Sequence, residues 1–590
     1  MMRPSTAATR ACCALTIGMT LLAGCTQSSR LEKPAEPTPQ ERVVMLNVAP
    51  PPPPPPAAYI PSAPQVEMKA QMNEVMVTGS SMKRVAPMSA GAPIMAMDSY
   101  SQLPPPKVQS TDKFPDKEAN GITLVADQPV STFSVDVDTA SYAFVRRTLS
   151  NGTLPPAEAV RVEEMVNYFP YKYATPATRS QPFGVVTELM PSPWNAENQL
   201  VHIAVRGYDI ATTERPRANV VLLIDVSGSM GPDDRLPLLK KGFRLFASQL
   251  RDDDSVAIVT YANGTHIALE PTSGRDKHKV IAAIEALGSG GGTAGADGLQ
   301  RAYAMAERNF DAKAVNRVIL ATDGDFNIGI SDPKQLEKFI ADKRKTGVYL
   351  SVFGVGYGNL NDALIQRLTQ SGNGNAAYID SVLEARKAMS EELGSTMFPI
   401  ANDVKIQVEF NPALVAAYRL VGYETRMLKR QDFKDDKVDA GDMGAGHSVT
   451  AIYEITPAGA GGKLVDRMRY NEDKRGKPLA NALSDELCFV KLRYKLPGEA
   501  TSRLTEHAVH AAAARSSINA VPEEQRFAVA VAAFGQRLRG ETQMGDFDYK
   551  AIASLANAAR GADTEGYRAE FVKLVRLTES LSKADKLGQR

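Results

Sequence analysis

An apolar run at residues 220–224, Val-Val-Leu-Leu-Ile, passes directly into Asp225-Val226-Ser227-Gly228-Ser229-Met230. Five apolar residues, three of them β-branched, read as a strand buried on both faces. Such a strand needs a covering layer on each side, which confines this part of the chain to a layered α/β fold. One carboxylate and two hydroxyls then alternate on the loop that leaves the strand. These hard oxygen donors suit Mg²⁺ or Mn²⁺ and not a soft metal. The carboxyl edge of an open α/β sheet is also where such folds take their ligands.

The surrounding pattern carries the same architecture further. Strand patterns at 220–224, 255–260, 315–321, 348–353 and 376–379 alternate with helical patterns at 236–250, 275–287, 294–310, 334–345, 361–370 and 382–393. That order predicts a doubly wound, Rossmann-like sheet, mainly parallel, with helices on both faces. Ahead of it, a strand pattern at 133–138, helical patterns at 139–149 and 161–168, and strands at 184–189 and 200–205 suggest a small α+β module. Beyond it, 404–410, 448–455 and 488–494 alternate as antiparallel strands with one buried face. Ala-rich helical patterns dominate from about 501.

At 590 residues the chain exceeds a single core and reads as a multidomain α/β protein. The expected segments are 1–24, 25–113, 114–216, 217–397, 398–500 and 501–590. The first is a signal peptide: Arg3 and Arg10 precede a short apolar stretch that ends Leu22-Ala23-Gly24-Cys25. This ending resembles a bacterial lipobox, which implies a lipid on Cys25. With Thr26 next, the same pattern implies the cell envelope, at the periplasmic face of the outer membrane. Residues 25–113 hold seven consecutive prolines at 50–56 and read as a Pro-rich disordered tether. Within them, Glu74-Val75-Met76-Val77-Thr78-Gly79-Ser80 resembles the segment that opens the plug of TonB-dependent receptors, but no receptor barrel pattern follows and the preferred reading is a plain short strand, with a docking segment as the alternative. With 68 basic and 67 acidic residues, the chain is not composed as a nucleic-acid binder. Once the signal leaves with Cys12 and Cys13 and Cys25 carries lipid, Cys488 is the remaining thiol. Its apolar neighbours suggest a buried structural residue.

Two further elements turn the Asp225 loop into a specific resemblance. Gly291-Gly292-Thr293 and Thr322-Asp323-Gly324 follow it in order, each in a loop of the alternating pattern. Together the three resemble the metal-ion-dependent adhesion site of von Willebrand factor type A (VWA) domains. The resemblance implies a Mg²⁺ (or Mn²⁺) site held by Asp225, Ser227, Ser229, Thr293 and Asp323, with one open position for the acidic side chain of a protein partner. A simpler reading has Ser227 and Ser229 only capping the helix that follows. Asp325 reads as a solvated loop acid or an outer partner of the site, and Asp233 and Asp234 as decoration of a helix N-terminus.

Other motifs compete weakly. Asp136-Val137-Asp138-Thr139 resembles the Asp-x-Asp-x-Thr of haloacid-dehalogenase-type phosphatases, but the sheet expected around that motif does not follow it. His507 and His510 lie three apart on an expected helix, with no nearby residues to complete a zinc set. The flanking Val135-Asp136-Val137-Asp138-Thr139-Ala140-Ser141-Tyr142 and Val162-Glu163-Glu164-Met165-Val166-Asn167-Tyr168-Phe169 resemble the N-terminal region of bacterial VWA lipoproteins. Asp323-Gly324-Asp325-Phe326-Asn327-Ile328-Gly329 resembles the same family, whose C-terminal region of unknown function fits 400–590. The expectation is a membrane-anchored, non-enzymatic module that binds a protein carboxylate through a divalent cation. The alternatives are a metal-dependent hydrolase using Asp136, or a scaffold with no metal-mediated binding.

Overall fold

The computed structural model describes residues 111–588, apart from 177–179, 212–213, 294–296, 325–331, 393–396, 439 and 461–484. The signal peptide, Cys25, the tether as far as residue 110, Glu74 to Ser80 and Asp325 lie outside the described residues, while Thr111 and Lys113, at the end of the expected tether, donate their N–H groups to the Gly358 and Leu360 carbonyls.

The strand that opened the sequence argument, Ala218–Asp225, is buried along its whole length. It sits inside a six-stranded sheet with Val315–Thr322 on one side and Ser255–Tyr261 on the other. Val348–Val355 and Ala376–Ile379 extend the sheet in parallel. Thr265–Ser273 closes the other edge as an antiparallel hairpin partner. Its polar composition had hidden this edge strand.

The apolar run serves two cores at once. Val220, Leu222 and Ile224 face a cluster with Leu239 and Phe243 of the helix Leu236–Ser248 and with Val280 and Ile284 of Lys277–Ala286. Val221 and Leu223 face the opposite cluster, with Leu299 and Ala302 of Gly298–Arg308 and Leu336 and Ile340 of Pro333–Lys345. Two-sided burial is why the strand reads as unbroken apolar residues. The fold is the expected multidomain α/β architecture with a doubly wound VWA sheet at its centre.

The flanks depart from the expected segments. The stretch 114–216 is no separate module. Its strands Phe183–Pro191 and Gln199–Gly207 join Ser448–Pro457 and Val415–Leu420 in one antiparallel sheet. Val130–Ser134 pairs with Pro399–Phe410 in a second sheet. Chain on both sides of the VWA sheet thus builds one shared core, which includes Phe133, Ile203, Val408 and Tyr453. Alternation of residue type shows which face of a strand is buried, but not which strand it pairs with.

The helix Ala140–Ser150 also crosses over, setting Ala140, Ala143 and Phe144 against the VWA sheet's second core. Buried ion pairs fasten these joins. Arg146 meets Asp380 and Glu384, Arg161 meets Asp362, and Arg426 meets Asp138. The C-terminal helices Glu523–Arg539, Tyr549–Ala558 and Tyr567–Gly588 pack on the aromatic run around Tyr168 and Phe169.

The region after 501 does not begin in helix. Arg503–His510 is an edge strand. His507 meets Thr187, while His510 pairs with Asp485. Residues three apart in a strand point to opposite faces, so the two imidazoles form no pair. The last VWA helix is also shorter than expected. It runs as α-helix only over Val382–Arg386 and widens into a π-helical turn over Lys387–Glu392.

Candidate metal centre

Three loops meet at the carboxyl edge of the VWA sheet, and backbone hydrogen bonds interlock the first two. The Gly228 N–H donates to the Gly291 carbonyl at 2.9 Å, and the Gly290 N–H donates to the Val226 carbonyl at 2.8 Å. The Gly292 N–H donates to Asn263 Oδ1 at 2.6 Å. This last contact requires glycine beside it: Gly291 has φ of +80°, and a Cβ there would lie 2.5 Å from Asn263 Nδ2. The turn carries the half-buried Thr293 directly after it.

Asp225 and Asp323, at the ends of adjacent parallel strands, are both fully buried. Asp225 Oδ1 accepts the Ser227 N–H at 2.8 Å, while its Oδ2 is buried with no hydrogen-bond partner. Asp323 is matched in kind: Oδ2 accepts from Arg235 Nη1, and Oδ1 is buried without a partner. Burial, first of all, raises the Asp225 carboxyl to about 6; hydrogen bonds from Ser227 pull it down, and the Asp323 charge pushes it up.

The Ser227 and Ser229 hydroxyls stand 3.0 Å apart. Ser227 opens the short turn Gly228–Met230, yet its side chain makes no capping hydrogen bond. The reading of these serines as helix caps therefore fails. Their oxygens face each other on the same loop as the buried carboxylate. Among the described residues, no three His, Cys, Asp or Glu side chains gather into a metal cage. A divalent ion here would rely on the mixed set: two carboxylates with an idle oxygen each, two serine hydroxyls and Thr293. Idle buried carboxylate oxygens beside neutral hydroxyls fit a hard cation that keeps some of its water.

Residue patterns had passed over Arg235 and Asn263. Arg235 Nη1 donates both to Asp323 and to the Ser229 carbonyl, the latter at 2.8 Å. It stands at the N-cap of Leu236–Ser248. A cation is disfavoured at a helix N-terminus, so a lone arginine there was a readable signal that something else holds it. Asp234 next to it pairs with Arg147, rather than serving only the helix end. The Asp136 motif is held by a guanidinium. Arg426 donates to Asp136 Oδ2 at 2.7 Å and to Asp138 Oδ2 at 2.8 Å, and Asp138 Oδ1 accepts the Ala376 N–H. Through Arg426 the two carboxylates are tied to one guanidinium.

Comparison with known proteins agrees with the fold. The model for the von Willebrand factor type A domain matches residues 220–325, and one described as von Willebrand factor matches 108–202. One described as the C-terminal part of the uncharacterized protein YfbK matches 395–581. The chain is 43% identical to the uncharacterized protein YfbK of Escherichia coli (strain K12) over 478 residues, which is 80% of this chain and 82% of that protein. It belongs to the YfbK family.

Other likenesses are narrower. The uncharacterized protein sll0103 of Synechocystis sp. is 28% identical over 170 residues, and the match spans only 39% of that protein. Among solved structures, a von Willebrand factor type A protein from Catenulispora acidiphila aligns over 67% of this chain and 89% of its own, at 17% identity and a TM-score of 0.38. This YfbK-family chain thus carries a VWA domain, a fold of protein-interaction and adhesion modules, between flanks that share a core.

Proposed function

We propose that this YfbK-family protein is an envelope-anchored binding module that captures an acidic side chain of a protein partner through Mg²⁺ or Mn²⁺. The supporting observation is the pair of buried carboxylates, Asp225 and Asp323, each with one oxygen left idle at the edge where Ser227 and Ser229 present their hydroxyls. Leaving such atoms unpaired is costly unless something completes them.

In this reading Asp225, Ser227, Ser229, Thr293 and Asp323 hold the ion, and the protein does no covalent chemistry. The bound ion would supply an electrophilic, exchangeable position for a carboxylate. Asp225 keeps the Ser227 loop in place through its other oxygen, and Asn263 keeps the Gly291–Gly292 turn against it. Lipid on Cys25 would anchor the module at the periplasmic face of the outer membrane, and the Pro-rich tether would hold it away from the bilayer. The hydrolase reading lacks support, since Arg426 engages the Asp136 carboxylate.

The test is Mg²⁺ calorimetry on the wild type and on the Asp225→Ala, Ser227→Ala double variant, together with partner pull-down with and without EDTA. Heat of binding and EDTA-sensitive capture in the wild type, both lost in the variant, support the proposal. Metal and partner retained by the variant would overturn it.

A further inference from the structure

We propose that Arg235 is the specificity-determining residue of this centre: it adds the positive charge that makes the metal-loaded site select an anionic ligand over a neutral one. The inference rests on the metal-binding reading above and concerns a residue outside the five ligands.

The argument begins with charge. Asp225 and Asp323 are fully buried, and Arg235 is bonded to Asp323 with its side chain only 14% exposed. Two carboxylates and one guanidinium leave the closed shell with one negative charge. A divalent ion turns that into one positive charge, which an incoming carboxylate cancels. Without the guanidinium the loaded shell would already be neutral, and water or a neutral oxygen would serve the open position equally well. Buried surroundings screen such differences poorly, so one unit of charge matters here.

The position of Arg235 is built rather than incidental. One of its nitrogens bridges the Asp323 carboxylate and the Ser229 carbonyl, tying the first and third loops together. Its Nε is buried, which holds the guanidinium away from solvent. Gly356, with φ of +81°, makes room for it: a Cβ there would lie 2.5 Å from Nε. The Gly356 carbonyl in turn accepts from the Tyr378 hydroxyl at 2.5 Å, and Arg147 of the helix Ala140–Ser150 donates to that hydroxyl at 2.9 Å. Arg147 also pairs with Asp234, the residue before Arg235. The helix dipole disfavours a cation at this point of the chain, so the contacts with Asp323 and Ser229 hold it there.

Arg235 therefore has two opposed effects. Its charge repels the metal, and it attracts the ligand that the metal receives. Removing the charge should tighten metal binding and weaken anion binding, a combination that loss of a merely structural contact does not produce.

The test uses Mn²⁺ as the metal and acetate as the anion, on the full chain in detergent. Free Mn²⁺ is read by electron paramagnetic resonance, and acetate binding to the loaded protein by water-proton relaxation. The chains are wild type, Arg235→Gln, Arg235→Lys and Asp225→Ala, with Arg235→Met as a second charge-removing variant should the glutamine form misfold. The expected result for Arg235→Gln is Mn²⁺ binding tighter by about tenfold or more and acetate binding weaker by about tenfold or more, with Arg235→Lys near wild type in both. Wild type that loads Mn²⁺ while the charge-removing variant matches it in either titration would overturn this inference alone. Wild type that binds Mn²⁺ no better than Asp225→Ala would overturn the metal-binding reading itself.

Discussion

Replacing Asp225 by Asn should stabilise the metal-free protein, because the wild-type site keeps a buried carboxylate that its surroundings do not satisfy. The carboxyl is raised from 3.8 to about 6. A shift of that size corresponds to about 3 kcal/mol, at about 1.4 kcal/mol for each pH unit. The sign follows from a folded value above the unfolded one. The folded state holds the Asp225 proton more tightly, so its contribution to stability is full below pH 3.8 and is lost as pH rises through about 6. Asparagine never ionises and keeps a carbonyl oxygen for the Ser227 N–H. Its new amide donors enter a buried site, which offsets part of the gain. The net expectation above pH 7 is a gain of about 1–2 kcal/mol. A multidomain chain does not unfold in one step, so the assay should be local. Hydrogen exchange on peptides covering Ala218–Asp225, in EDTA and across pH, reads the opening energy of this strand. Protection should rise in Asp225→Asn at neutral pH, and the difference should shrink toward pH 4. Added Mg²⁺ should protect the wild type and leave the variant unmoved. Lower protection in the variant, or equal Mg²⁺ protection in both, would refute the claim that this carboxylate is held ready for a cation.

Other perturbations separate the site from the scaffold. Arg426→Met leaves the buried Asp138 without its main counter-charge and should destabilise the fold by about 3–5 kcal/mol, seen as a lower thermal midpoint. Asp136→Asn should cost less, since the Asp136 side chain is 22% exposed. Gly324→Ala sets a Cβ 2.3 Å from the Asn359 carbonyl at a φ of +103°, so Mg²⁺ heats should weaken even where the fold survives. Cys488 is buried and its thiol is pushed up to about 12 by burial, so thiol reagents should label it only once denaturant is added.

What the sequence made legible follows from the range of the interactions involved. The run 220–224 announced itself because a strand covered on both faces must be apolar at every position. Asp225, Ser227 and Ser229 were legible because their spacing is local, fixed within one loop. Thr293 and Asp323 entered only through the resemblance of their motifs, in order along the alternating pattern, to VWA domains. The joins between segments were not legible. Val130–Ser134 pairs with Pro399–Phe410, and nothing in either stretch marks the other as its partner. Their alternation satisfies any antiparallel neighbour with an apolar face. The same limit applies to His507 and His510, whose short strand Arg503–His510 runs directly into Ala-rich sequence that favours helix.

Arg235 shows the converse. It belongs to no ligand pattern, yet its place at a helix N-terminus conflicts with local electrostatics, and such a conflict marks a residue held by tertiary contacts. The Asp136 motif carries the complementary lesson. Its spacing matched a known catalytic pattern, but Arg426, about 290 positions along the chain, occupies both carboxylates. A carboxylate's role depends on whether its oxygens are already satisfied. Asp136 and Asp138 have a guanidinium between them. Asp225 and Asp323 each keep an oxygen idle at full burial, which is why the proposed binding function rests on this edge and not on the other motif.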